Sequence, residues 1–275
     1  MTDFFVEYES QLRLGIFVGV LLTMMTLEFL FPRKKRSKTR LRRWTTNLLI
    51  ILVDNVVIRL VFPIVAVGTA LLATTKSWGI FNLIDLPVVL EIILAMIILD
   101  LLIYAQHIVF HMVPAFWNIH KVHHADRDID VTTGIRFHPI EMVLSLLYKM
   151  ICIVLLGAPV AAVLLFELIL NACSMFNHSN VKIPLGFERS LRFFIVTPDM
   201  HRVHHSVIKR ETNSNYGFSI SLWDRLFGTY RDQPSEGHDD MTIGVAEYQN
   251  DGPTSFTWSL LLPFGKRFDK TKHWL

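Results

Sequence analysis

Residues 86–124 read LPVVLEIILAMIILDLLIYAQHIVFHMVPAFWNIHKVHH, and this stretch decides the fold. Its first part, 86–110, is a largely apolar run, longer than the roughly 20 residues that a helix needs to cross a bilayer. Asp100, Tyr104, His107 and His111 recur at i, i+4, i+7 and i+11, so they share one polar stripe of that helix. The stripe leads directly into His120, His123 and His124. An apolar helix thus ends in a concentration of imidazoles.

Working outward, the same hydropathy recurs. Residues 12–31 form a first predicted span, 47–73 a second and 86–110 a third. The run 140–175 breaks at Gly157-Ala158-Pro159 into two halves, each at the lower limit for crossing, and reads as a helical hairpin. Hydrophobic residues make up 52% of the 275 and charged ones 19%, which exceeds the apolar share of ordinary soluble domains. The expected fold is all-α: one integral-membrane domain, a multi-pass transmembrane bundle with a histidine-rich cytoplasmic helical cap. Residues 177–275 are polar apart from 258–264, a candidate interfacial segment.

Charge sets the expected orientation. Eight of the 27 Lys and Arg lie in 33–43, RKKRSKTRLRR, directly after the first apolar run. The residues before that run carry Asp3, Glu7 and Glu9 and no base, which argues against a signal peptide and for an outward N-terminus. The basic run then reads as a cytoplasmic flank. Nucleic-acid binding is not expected, because no aromatic residues interleave with the bases. Counting crossings from there puts 111–139 and 177–275 on the same cytoplasmic side.

Every histidine cluster falls in or beside those two segments. His107 and His111 form HxxxH, His120/His123/His124 form HxxHH, and His201/His204/His205 form a second HxxHH. With 12 histidines in 275 residues, chance predicts roughly 0.02 copies of HxxHH, against two observed. Residues three and four apart share a helix face, so each motif is expected to present its imidazoles together. Imidazole suits iron, zinc, copper or nickel. Eight such groups exceed the appetite of one metal, which takes about four ligands in a zinc site. Two metals are the expectation.

Glu167, Asn171, Ser174 and His178 repeat the stripe spacing at the end of the hairpin, and His178 is taken as a further ligand. His138, in RFHP, is a weaker ligand candidate. Asp100, Tyr104, Asn177 and Asp199 are candidates for orienting an imidazole, and Asp199 alternatively for a helix N-cap. His238 and His273 stand alone in polar surroundings and are expected to be exposed. Cys152 and Cys173 lie in apolar runs and read as packing residues.

In order, HIVFH, NIHKVHH, RFHPIE, FNHSN, TPDMHRVHHS and NYGFSISLWDRLFGTY closely resemble the fatty acid hydroxylase/sterol desaturase superfamily, over about 95–232. The resemblance implies an O2-dependent lipid oxidation at a di-iron centre, with ligands at His107, His111, His120, His123, His124, His178, His201, His204 and His205. Some members carry His or Gln four residues before the position of His178, where this chain has Ser174, which implies a smaller ligand set. Hydroxylation of an acyl chain, sterol or related lipid is the expected reaction, and desaturation the alternative. No GxGxxG opens a nucleotide fold, and His138-Pro139 is followed by Ile-Glu instead of the Gly-Gly of a haem motif. Electrons are therefore expected from a separate donor, a ferredoxin or cytochrome b5-like protein. A membrane zinc hydrolase would want a carboxylate as in HExxH, which is absent. A transporter would want ligands continuing through the spans, where Asp54 and Glu91 make only a thin trail.

Overall fold

The computed structural model describes residues 7–37 and 39–265. No strand forms among them. Three isolated bridges, such as Pro32 with Val181, are the only sheet-like contacts of the described residues. Helix α1 spans Glu9–Leu30, α2 Arg40–Val61, α3 Ala66–Thr75, α4 Val88–Met112 and α5 Pro114–His124. The hairpin is α6, Pro139–Leu156, and α7, Val160–Asn177. Helices α8, Leu185–Leu191, and α9, Pro198–His204, follow, then short turns and α10, Phe256–Leu261. Five segments are long and apolar enough to cross a membrane, with α2 and α3 counted together. The chain is a multi-pass helical bundle.

The second span departs from expectation. Its helix begins at Arg40, well before residue 47, and is interrupted after Val61. Pro63 forces the break: it lacks an N–H and pushes the preceding residue, Phe62, to extended angles, φ −115 and ψ 118.

Lipid supplies no hydrophobic drive between helices, so close approach through small residues must substitute. Ala66, Ala70, Ala95, Ala158 and Ala162 are all fully buried at helix contacts. Large side chains such as Leu22, Phe29, Leu52, Leu60 and Leu155 face outward. Helix α7 is the most enclosed of the spans and packs against α1, α3 and α4. At the hairpin turn Gly157 adopts φ +67, and the α3–α4 link presses on it so closely that a Cβ on Gly79 would meet Gly157 N at 2.0 Å.

Glu167 does not face the histidines. It is clamped between Arg13 of α1 (2.5 Å) and Lys149 of α6 (2.7 Å), a packing triad within the spans. At the opposite end from the hairpin turn, Glu28 of α1 accepts the backbone N–H of Val131 (2.7 Å) and of Asn180 (2.8 Å). Buried Arg43 of α2 forks onto Asp126 (2.7 Å) and Asp130 (2.6 Å). Arg36 meets Glu28 at 2.9 Å. Two of the eight bases, Arg36 and Arg43, are therefore taken up here by buried acids, Arg43 by those of the loop that follows His124. The basic run and the histidine clusters share one face of the bundle.

Candidate metal centre

The nine histidines of the motifs converge. His107, His111, His120, His124 and His204 form one group, and His123, His178, His201 and His205 a second. Within each group, one ring nitrogen per residue lies within 4.8 Å of every other. All nine are buried, none more than 7% exposed. The rings of His124 and His205 stack at 4.5 Å and join the groups.

The motifs are shared out in a way their spacing explains. A helix turns about 100° per residue, so i and i+4 lie about 40° apart and i+3 falls about 60° to the other side of i. His120 and His124 accordingly enter the first group while His123 enters the second. In the other motif His201 and His205 enter the second group and His204 the first. Each HxxHH therefore serves both groups, a correction to the expectation of one shared cluster per motif.

Six outer nitrogens are tied down. The Nδ1–H of His107 donates to Tyr216 O (2.7 Å), that of His123 to Arg136 O (3.1 Å), and that of His178 to Ser174 O (2.7 Å). His204 Nδ1 donates to Ser214 O (2.7 Å) and His111 Nδ1 to Asn213 Oδ1 (3.4 Å). His120 Nδ1 donates to the buried carboxylate of Glu141 at 2.6 Å. A ring protonated at Nδ1 keeps its lone pair at Nε2. Those lone pairs point at one another: His123 and His178 Nε2 atoms lie 3.0 Å apart, and those of His107 and His120 3.2 Å apart. Nε2 of His111, His124, His204 and His205 has no partner. Buried lone pairs facing each other are unfavourable alone and are satisfied by a cation between them. The donor set fits two metal ions.

Protonation states agree with that use. Burial, and then neighbouring imidazoles, hold His123, His124, His201 and His205 well below the usual histidine range. Burial outweighs the Ser174 carbonyl and pushes His178 down to about 4. It likewise outweighs the Ser214 carbonyl and pushes His204 to about 3. Neutral imidazole is the ligating form.

Other candidates lie elsewhere. His138 caps α6, accepting Ile140 N–H at Nδ1 (3.2 Å) and donating to Leu260 O (3.1 Å), so both nitrogens are used outside either group. Asp100 accepts Trp223 Nε1 (2.8 Å) and Ile220 N (3.3 Å). Tyr104 bonds Thr229, Asn177 donates to Phe218 O, and Asp199 pairs with Arg33. None of these four bonds an imidazole of the nine; they fasten the 216–229 segment and the foot of α1. The N-cap of α9 is Thr197, which accepts Met200 N–H, not Asp199. His238 is buried beside Asp199, against the expectation of exposure, and His273 lies outside the described residues. The imidazole-orienting carboxylate that the sequence reading missed is Glu141. Its signal was an acid one turn into a buried helix, in HPIE.

An apolar groove of about 290 Å3 runs between α4 and α6. Gln106, Val109, Leu144, Leu147 and Ile151 line it, and Phe110 and Phe116 close it towards the histidines. The Phe110 ring stands 5.8 Å from that of His120.

Fold and site together define a polytopic helical membrane protein with a paired polyhistidine centre. Residues 92–229, half of the chain, match the family model for fatty acid hydroxylase. The chain belongs to the fatty acid hydroxylase family. It is 30% identical over 157 residues to ornithine lipid hydroxylase OlsE of Rhizobium tropici, covering 57% of this chain and 46% of that protein. It is 27% identical over 152 residues to alkylglycerol monooxygenase of Caenorhabditis elegans, covering 55% and 28%. Against cholesterol 25-hydroxylase of Rattus norvegicus the identity is 25% over 147 residues, covering 52% and 48%. The matched stretch spans less than half the length of each of these relatives. No solved structure matches the chain significantly.

Proposed function

We propose that this protein is an O2-dependent lipid hydroxylase in which the nine clustered histidines hold two iron ions. The observation that carries the reading is the pair of adjoining, buried imidazole groups whose lone pairs face inward at one end of an apolar bundle. Two irons there would supply the redox chemistry for RH + O2 + 2e− + 2H+ → ROH + H2O. Hydroxylation is favoured over desaturation because the relatives compared are named hydroxylases and monooxygenases.

The chain's own residues supply position and dryness. Glu141 and the carbonyls of Tyr216, Arg136, Ser174 and Ser214 fix the rings of His120, His107, His123, His178 and His204 so that Nε2 faces inward. Phe137 stacks on His123 at 4.5 Å and helps keep water from the cage. The α4–α6 groove takes an acyl or similar apolar chain, and Phe110, between the groove and His120, would have to swing aside for the reactive carbon to reach the cage. The basic run shares the histidine face, so positive-inside topology puts the centre on the cytoplasmic side. Electrons come from a separate donor of the ferredoxin or cytochrome b5 type.

The test is oxidation by the purified protein in lipid nanodiscs with a ferredoxin or cytochrome b5 reducing system under 18O2. One 18O atom incorporated into a lipid, and no product from NAD(P)H without the donor, is the expected result. Product formed with water-derived oxygen would overturn the reading.

A further inference from the structure

Ion pairs with the histidine-bearing segments account for only part of the basic run. At the foot of α1, Pro32, Arg33, Lys34, Lys35 and Asp239 line a groove of about 580 Å3. Behind it lies Arg202, fully buried on α9. Arg202 donates to Ser179 O (3.3 Å) and stands 3.7 Å from Asp199, but its Nε and Nη1 make no hydrogen bond. Ser179 Oγ and both ring nitrogens of His238, also buried, are likewise without hydrogen-bond partners. Arg202 Nε and Nη1, the Ser179 hydroxyl and the single N–H of neutral His238 are thus buried donors without acceptors outside the metal centre, and such donors call for acceptors.

The local charge calls for an anion. Among the described residues Arg33 and Arg202 stand within ion-pair distance of Asp199, and Arg33 of Asp239, while Asp128 and Asp240 act on Lys34 and Glu28 on Arg202 from farther off. Asp239, whose side chain is 77% exposed, reaches in from solvent to Arg33 (2.5 Å) while its carbonyl accepts Lys34. It occupies the position an incoming anion would take. Phosphate suits the remaining donors, having three or more acceptor oxygens and matching guanidinium geometry. The groove is far larger than a bare phosphate, and Phe29, Leu30 and Phe31, which lead into its Pro32 along the chain, are exposed.

We propose that this groove binds the phosphate of an anionic phospholipid headgroup, with the lipid's chains laid along the exposed end of α1. The site is separate from the histidine cage and stands whether or not the hydroxylase reading does. Titrating the detergent-purified full chain with dihexanoyl phosphatidic acid, dihexanoylglycerol and inorganic phosphate, by calorimetry, tests it.

Phosphatidic acid binds, dihexanoylglycerol does not, and inorganic phosphate binds at least tenfold more weakly than the lipid. The double variant Lys34→Gln/Lys35→Gln weakens lipid binding by about twenty- to thirtyfold, at about fivefold per base. Arg42→Gln, an exposed base of the same run outside the groove, changes it less than twofold. Asp239→Asn, which removes the competing carboxylate without touching the core, tightens it. Equal binding of phosphate and lipid would make this a soluble-phosphate site and overturn the headgroup assignment. An equal loss in Arg42→Gln would reduce the effect to diffuse surface charge. No binding of any probe would overturn the site altogether.

Discussion

The Nδ1 of His120 lies 2.6 Å from Oε1 of Glu141, both buried, and this contact fixes which edge of the imidazole faces the cage. A carboxylate behind a ligating histidine raises the ring's basicity and locks its orientation. Glu141→Gln keeps an acceptor but loses the charge, and metal affinity should fall by about 10- to 100-fold. Chelator competition on wild type and variant measures this. Unchanged affinity would separate Glu141 from the metal centre.

Leu147 and Ile151 line the groove between α4 and α6. Leu147→Trp should fill it and lower kcat/KM for lipid oxidation by about tenfold or more, the scale set by misfit in an apolar pocket. Metal content should not change, because Leu147 touches no histidine of the cage. Steady-state kinetics with iron analysis on the same sample separates the two effects.

Arg43 is fully buried between Asp126 and Asp130, and removing it strands both carboxylates. Arg43→Met should destabilise the protein by roughly 3–5 kcal/mol, the cost of breaking a buried pair. Thermal unfolding in detergent is the check. The loss should appear in metal-free and metal-loaded protein alike, since the pairs lie outside the cage.

Burial, with Arg202, Arg33 and Arg192 acting in the same direction against Asp199, pushes His238 down to about 4. An unfolded histidine titrates near 6.5. Between those values the unfolded chain binds more protons than the folded one, so stability falls as pH drops from about 6.5 towards 4. Above pH 7 the group contributes no pH dependence. His238→Gln should therefore gain stability relative to wild type as pH is lowered from 7 to 5, measured as the difference in Tm.

Local signals were the readable ones. The spans follow from runs of apolar residues, and four of the five helices end within a few residues of where hydropathy places them. The histidine groups follow from spacing on one turn. What orients each ring was hidden, because the acceptors are mostly backbone carbonyls: Tyr216 O is 109 residues from His107. Asp100 and Tyr104 do share the stripe of His107 and His111, but the stripe outruns the cage and meets Trp223 and Thr229 instead. The basic run read only as a cytoplasmic flank, with no partners named, because Asp126 and Asp130 lie more than 80 residues from Arg43. Hydropathy and charge counts carry no such pairing. His238 looked exposed for the same reason: its burial depends on Arg33 and Asp199 arriving from distant segments.

The central claim is the pair of metals, and metal content tests it most directly. Full-length protein purified from iron-replete cells should carry close to two irons per chain, giving the Mössbauer signature of a coupled pair. His123→Ala, which removes one ligand of the second group, should lose iron while keeping its helical content. Protein that is active in lipid oxidation yet holds no iron, or a single uncoupled iron unaffected by His123→Ala, would contradict the account.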